Sequence, residues 1–402
     1  MSYHWFYEPN RVRIKLNEKY RLFLINKLKK LGGPHSLSRK IGCSPATICH
    51  YFKGLGLSIG FLKKILDILQ ISYGKIEPFI TEISWIKNPK LPFNLNARET
   101  AILSAAILGD GSNTTRLMYK NTTPELIEKV ELSAKKLFGK IHVDHRISKD
   151  GVEYILFPRI IGRVLTFMGV PYGNKINQNQ GIPELIKKGN NKIKRAFLQQ
   201  FFDDEGGVEV EYRTVFLSQA TDCTRYIPKD FYDSMTPKKA YYIKDLPKDL
   251  TEKIESSKIL IDIKLILEKI FGISSILRFK RIVKHRNHAT SFWELEIRKN
   301  DDIERFFNEI NFYSKSKREN LDFIVNRNYK MPWDVYDKII NESIEITKKQ
   351  GFFRPYIIAK NLGLAYQPIN KRIKILEKRG VFRKNKGMYT LGTKNLIGDS
   401  YG

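Results

Sequence analysis

Cysteine is scarce in this chain: three among 402 residues, at Cys43, Cys49 and Cys223. Three thiols make no disulfide framework, and their spacing matches no metal-ligand pattern, so a reducing compartment is expected. Long apolar runs are lacking as well. None approaches the ~20 residues of a membrane span, and the opening Met-Ser-Tyr-His-Trp-Phe-Tyr-Glu has no basic stretch followed by an apolar one. No membrane association is expected, and the predicted location is cytoplasmic, with the nucleoid if the partner is DNA. Acids are the third shortage: 42 Asp and Glu stand against 71 Lys and Arg, a net charge of +29. The cations are spread over the whole chain instead of one tail, which favours a polyanion partner, most simply nucleic acid. A basic soluble surface without such a partner is the competing reading. The length suits two or three domains with ample core.

What is present is a stretch that occurs twice. Leu-Ser-Ala-Ala-Ile-Leu-Gly-Asp-Gly fills 103–111, and Leu-Gln-Gln-Phe-Phe-Asp-Asp-Glu-Gly fills 198–206. Leu103 and Ile107, and then Leu198, Phe201 and Phe202, recur as a buried helix needs. Each stretch ends in an acid, Asp110 or Glu205, followed by a glycine that reads as a left-handed cap. A carboxylate at a helix C-terminus faces the negative end of the helix dipole, and a second one beside it compounds the repulsion. Such a pair asks for a cation.

Both stretches resemble the LAGLIDADG motif of homing endonucleases, in the two-motif, monomeric, intein-type (DOD) form. Ile-Pro-Glu-Leu-Ile at 182–186, leading through Arg195 into the second stretch, resembles the entry to the second motif in that group, as does 156–175 with its Gly-Val-Pro-Tyr-Gly-Asn-Lys ending. The resemblance covers roughly 96–330. It implies an α+β fold: a duplicated αββαββα core in which two helices pack across a pseudo-twofold axis. It also implies that Asp110 and Glu205 hold Mg²⁺, two or more divalent ions, over the scissile phosphates of double-stranded DNA. By the same resemblance Lys120 and Gln219 would order solvent around the metals, and Asp203 and Asp204 would sit at the helix flank. The second motif departs from the family at Gln200, where a small residue is usual; a Gln turned to the helix flank and a widened, inactive interface are the two readings.

Within 96–330 the periodicity predicts helices at 124–138, 159–168 and 259–271, and strands at 114–120, 140–147, 153–158, 208–218, 275–284 and 290–298. Lys-Lys-Leu-Phe-Gly at 135–139 answers Glu-Lys-Ile-Phe-Gly at 268–272. Asp110 to Gly139 is 29 positions and Glu205 to Gly272 is 67, so the second copy carries an insert, placed at 220–257 and without assigned role. Basic residues on the strands, Arg116, Lys120 and Arg146 in the first copy and Arg213, Arg278, Lys280 and Arg298 in the second, are the set expected to face a duplex.

Residues 1–80 predict an all-α helix-turn-helix domain, with helices at 17–31, 36–41, 45–53 and 58–70; the segment 37–54 resembles the phage-repressor type. Thr47, His50, Tyr51 and Lys53 are its groove-side candidates, and an ordinary solvated helix face is the alternative. Residues 81–95 read as a linker. Beyond 330, helices at 333–348, 355–362 and 366–379 and an alternating stretch at 381–391 resemble a C-terminal winged-helix domain, 331–402, with Gln367, Asn370, Lys371 and Lys374 as its polar face. His142 with His145, and His285 with His288, read as loop histidines without a third ligand. A Met start and a Tyr-Gly end lack what self-splicing needs, so none is expected.

The function expected is a site-specific, metal-dependent double-stranded DNA endonuclease, monomeric and with no obligatory protein partner. A DNA-binding regulator that reuses the fold without cleavage is the alternative, and an RNA maturase a third.

Overall fold

A computed structural model describes residues 1–247, 249–326 and 332–392. The chain divides into two compact units: Met1–Glu205 with Gln219–Ile266 and Phe279–Trp293, and Gly206–Ser218 with Leu267–Arg278 and Glu294–Gly402.

The first unit opens with β1 (Ser2–Tyr3), β2 (Arg13–Leu16), α1 (Glu18–Lys29), α2 (Pro34–Ile41), α3 (Pro45–Phe52), β3 (Leu57–Ser58) and α4 (Ile59–Ile68). Asn17, Ser44 and Ser58 cap α1, α3 and α4, each accepting a backbone N–H two residues into its helix. Gly42, at φ 68°, turns α2 into α3 in a conformation that suits glycine. The helices fall where periodicity puts them, but the region is not all-α. β2 is flanked by β3 and by β4 (Ile80–Ile83) in a sheet ordered β3-β2-β4-β5-β9, where β5 is Ile86–Lys87 and β9 is Lys140–Ile141.

The expected linker at 81–95 is therefore corrected. It contributes β4, β5 and β6 (Phe93–Asn94), because Ile83, Ile86 and Phe93 are fully buried apolar residues that a linker could not hide. It also packs on the end of the helix at 124–138: Lys90 donates its N–H to Phe138 O at 3.1 Å, and a Cβ at Gly139, whose φ is 110°, would overlap the Asn88 carbonyl.

The first motif follows as α5 (Arg98–Leu108), buried on every side from Thr100 to Leu108. Then come β7 (Gly111–Asn113), β8 (Leu117–Lys120), α6 (Pro124–Phe138), β9, β10 (Asp144–Ile147), β11 (Glu153–Phe157) and α7 (Arg159–Phe167). The four strands other than β9 form an antiparallel sheet ordered β10-β11-β8-β7. Short helices α8 (Lys175–Gln178) and α9 (Glu184–Lys187) lead to α10 (Asn191–Glu205), the second motif, which packs on α5 and buries Phe197, Phe201 and Phe202.

Neither motif glycine is a left-handed cap. Gly111 opens β7 and Gly206 opens β12 (Gly206–Glu209), and neither has positive φ. The chain leaves α10 straight into β12 and α5 through the two turn residues Gly109 and Asp110 into β7, which places the acids at a helix-to-strand corner.

After α10 the strands β12, β13 (Thr214–Asp222), β14 (Ala240–Tyr242), β15 (Ile276–Lys284) and β16 (Ala289–Ile297) are ordered β12-β13-β16-β15-β14. The insert at 220–257 supplies α11 (Lys229–Ser234), β14 and α12 (Leu250–Lys253); β14 pairs antiparallel with β15, Tyr241 opposite Ile282, and so widens the second sheet by one edge strand. α13 (Lys258–Phe271) matches α6 of the first copy in chain order.

In the second unit β12 pairs with β13 in the register Gly206↔Leu217, and α14 (Asn300–Glu309) and α15 (Lys315–Asn326) follow. Then α16 (Val335–Gln350), α17 (Pro355–Asn361) and α18 (Tyr366–Lys378) close around Ile339, Ile358, Ile369, Ile373 and Leu376. The hairpin β17 (Phe382–Asn385) and β18 (Met388–Leu391) completes this core, and Phe353 bridges to Tyr389 as a third short strand. Residues 327–331 and 393–402, which fall in the expected 96–330 and 331–402 domains, lie outside the described residues.

Candidate functional site

The α5–α10 pair decides the site's shape. Gly109 sits where α10 comes closest, and a Cβ there would lie 2.8 Å from Asp204 Cβ and 3.0 Å from its Oδ2. At this contact the C-cap of α5 is glycine while α10 carries Asp204, so the missing side chain of Gly109 makes room for a polar one from the other helix.

Gln200 is fully buried, which corrects the expectation that it turns to the helix flank. Its Nε2 donates to Asp204 Oδ1 and Oδ2, both at 3.1 Å, and to Tyr119 Oη at 3.3 Å. Neither Asp203 nor Asp204 lies at a solvated flank. Asp203 is buried and faces the Lys129 ammonium at 3.7 Å. Asp204 accepts from the Tyr119 hydroxyl at 2.6 Å, and burial pushes its carboxyl well above the ordinary range, with Asp110 and Asp203 pushing the same way. Tyr119 is raised in turn, first by burial and then by the Asp204 charge.

Asp110 is exposed just beyond α5, and Glu205, the last residue of α10, is half-exposed. Asn121 Nδ2 donates to Asp110 Oδ2 at 2.8 Å and lies 3.4 Å from Asp204 Oδ1, so the acids of the two motifs flank one amide nitrogen. The Lys175 ammonium feels all three carboxylates. Burial lowers its pKa, while Glu205, Asp110 and Asp204 push it back up. Its Nζ donates to Gly111 O at 3.2 Å. Within the second unit Lys317 Nζ donates to Gly206 O at 2.7 Å. Each motif glycine thus has its carbonyl held by a lysine from the helix that follows its half, a repetition that no spacing rule in the sequence announces.

Lys120 is not among these groups. Strand alternation aims Tyr119 and Asn121 at the acids and Lys120 to the opposite face, where its Nζ pairs with Asp150 at 2.8 Å. One position separates the expected residue from the observed pair. Gln219 lines a cavity of about 40 Å³ together with Leu108 and Lys175; neither Asp110 nor Glu205 lines it.

The expected duplex-facing cations divide. Arg116 and Arg146 both meet Asp144, at 2.8 and 3.7 Å, and Arg116 holds that carboxyl below its usual pKa. Arg278 and Arg298 converge on Glu296, at 3.2 and 2.7 Å, a carboxylate that is almost fully buried. Arg213 is corrected from a strand to the β12–β13 turn, with φ 51°. Lys280 lies half-buried on β15. On α3, Thr47 bonds to Ser44 at its N-terminus and His50 and Lys53 are exposed, but Tyr51 is buried in the helical core and is no groove-side residue. On α18, Gln367 reaches Glu211 O at 3.4 Å, Asn370 is half-buried, and Lys371 and Lys374 are exposed.

Sequence reasoning missed Lys175, Asn121, Tyr119 and Lys317. The Gly-Val-Pro-Tyr-Gly-Asn-Lys run carried a signal for the first, a lysine at the end of a turn-rich segment. Of the histidines, His142 lies in a loop beside Asp144, while His145 sits on β10 between Glu131 and Glu153 at 2.9 and 3.0 Å. Among the described residues no group of three His, Cys, Asp or Glu is disposed to hold a metal, and no helix is long and apolar enough to cross a membrane.

No protein-family model matches this sequence, and no curated protein does. Among solved structures the chain is similar to mesophilic variants of the homing endonuclease I-DmoI, at 14% identity and TM-score 0.32, over 54% of this chain and 91% of that one. It is also similar to I-DmoI in complex with DNA and Ca, at 14% identity and TM-score 0.33, over 57% and 99%. A third similarity is to the N-terminal LAGLIDADG domain of DUF199/WhiA, at 14% identity and TM-score 0.31, over 59% and 91%.

Proposed function

We propose that this chain is a metal-dependent endonuclease acting at specific sites in double-stranded DNA, with Asp110 and Glu205 as the metal-holding acids. The observation that carries the reading is the meeting of the two motifs at one group: Asp110 and Asp204 flank the Asn121 amide at 2.8 and 3.4 Å, and Glu205 follows Asp204 at the end of α10. The donor chemistry fits Mg²⁺. The acids offer hard carboxylate oxygens, Asp110 is open to solvent, and a site with only two or three protein oxygens leaves room for the waters and phosphate oxygens that Mg²⁺ retains. When bound, the ion would supply charge neutralisation at the phosphate and a more acidic attacking water.

The chain's own residues do the rest. Asn121 fixes the orientation of Asp110 by donating to Oδ2. Lys175 offsets the repulsion among the three carboxylates and would be the proton donor available on the first motif's side of the site. Tyr119 and Gln200 hold Asp204 back from solvent, so it braces the helix pair instead of competing as a ligand. The α2–α3 pair, read as a helix-turn-helix, and α16 to β18, read as a winged helix, extend contact along the duplex, with the net charge of +29 setting a strongly salt-dependent affinity.

The second reading, a DNA-binding regulator without cleavage, is favoured by one observation: Lys175 Nζ is already fixed on the carbonyl of Gly111, the residue after Asp110, at 3.2 Å. A plasmid library carrying random sites, incubated with Mg²⁺ and the full chain, separates the two. Cutting that disappears in Asp110→Asn and in Glu205→Gln supports the enzyme. Duplex binding without a nick at any site leaves the regulator.

A further inference from the structure

Two depressions of the first unit adjoin at Arg11. One, of about 290 Å³, is walled by Arg11, Arg116, Arg159 and Arg163, with Tyr172 at its rim. The other, of about 390 Å³, is walled by Arg11, Arg13, Thr47 and His50. Five arginines and no carboxylate line the two, in a chain that holds 42 acids.

The arginines play two parts. Arg163 donates Nε to Glu8 Oε2 at 2.7 Å, and Glu8, 2% exposed, also receives the Tyr3 hydroxyl at 2.8 Å, so this guanidinium is fixed from beneath. Arg116 is fixed by Asp144. Arg11, Arg13 and Arg159 are exposed, and among the described residues their side chains make no hydrogen bond or ion pair. Three uncompensated guanidiniums along an open trough are a poor pocket for a small ligand, which would need enclosing donors, and a good track for a repeating anion. The guanidinium fork matches phosphate oxygens two at a time.

We infer that this trough carries the sugar–phosphate backbone of the duplex beyond the reach of the core, running from α3, with Thr47 and His50, through Arg11 to the β7–β8 turn and α7. This rests on the DNA-binding reading above and adds Arg11, Arg13 and Arg159 as the residues that join the N-terminal helices to the first motif's sheet.

The test uses the full chain and the double variant Arg11→Gln/Arg159→Gln, which breaks no internal ion pair. Lys229→Gln/Lys244→Gln, on exposed residues of the insert, is the charge-matched control. Removing two phosphate contacts lowers the slope of log affinity against log salt by roughly 2 in the first variant. Hydroxyl-radical protection should also vanish at one end of the footprint, and the control should keep both. Should the double variant unfold, as read by circular dichroism, Arg13→Gln is expected to lower the slope by roughly 1 on the same flank. A chain that binds duplex with slope and footprint unchanged in these variants overturns this inference alone. A chain that binds no duplex at any salt overturns the DNA reading beneath it. Inorganic phosphate that displaces DNA more strongly than chloride of equal ionic strength also overturns it, by making the trough a small-anion pocket.

Discussion

Replacing Gly109 by alanine tests the packing that brings the motif acids together. The new methyl would stand 2.8 Å from Asp204 Cβ, 3.0 Å from its Oδ2 and 3.3 Å from Ala105 O, none of which is the loose end of a flexible side chain. Overpacking of this kind costs about 1–3 kcal/mol. Losing a glycine from the unfolded chain returns about 0.4–1 kcal/mol, so a net loss of about 1–2 kcal/mol is expected. Asp204→Gly removes the opposing Cβ, and alone it should cost about 1–3 kcal/mol because Tyr119 and Gln200 lose a buried acceptor. With Asp204→Gly already in place only the Ala105 O contact at 3.3 Å remains, and the alanine's cost should fall well below that in the wild type. The coupling, read from urea midpoints followed by circular dichroism over the four proteins, should therefore be about 1 kcal/mol or more. An alanine that costs the same in both backgrounds, or nothing in the wild type, refutes the close approach at this point.

Three further outcomes are expected. Lys129→Met leaves Asp203 buried without its cation and should destabilise by about 3–5 kcal/mol, most of it recovered when Asp203→Asn is added; urea unfolding reads both. His145 has its pKa raised above 6.5, first by its hydrogen bond to Glu153 and then by Glu131. Its stabilising contribution is thus complete below that ordinary value and lost as pH rises through the raised one. An NMR titration of the His145 ring checks the direction, and the pH dependence of stability just above 6.5 should flatten in His145→Gln. Lys175→Met and Lys317→Met, each acting in one half, should slow cutting of one strand more than the other and so accumulate nicked plasmid; equal loss on both strands speaks against the paired roles.

Much of the frame was legible because it rests on local rules. The helices α5, α6, α7 and α10 declare themselves by apolar spacing, and α4 by its amphipathic pattern at 58–70. What was not legible depends on which face a residue takes after the chain folds. Lys120 and Asn121 differ by one position, and only the pleat of β8 sends the amide to the acids and the lysine to Asp150. The polar residues at 81–95 hide their buried neighbours Ile83 and Ile86 from any compositional reading. Gln200 reads as a disturbance in a small-residue motif, yet it is buried and holds Asp204, for which Gly109 leaves the space. Lys175 and Lys317 stand 64 and 111 positions from the glycines they hold, distances at which no periodicity speaks.

Whether the corner between α5 and α10 takes a divalent ion decides between cleavage and binding alone. Titrating the full chain with Mn²⁺ and reading the free ion by electron paramagnetic resonance addresses this without knowledge of a target site. Saturable binding that is lost in Asp110→Asn and in Glu205→Gln is the expected result. Binding that is absent in the wild type, or unchanged in both variants, contradicts it and leaves Lys175 as the cation of the site.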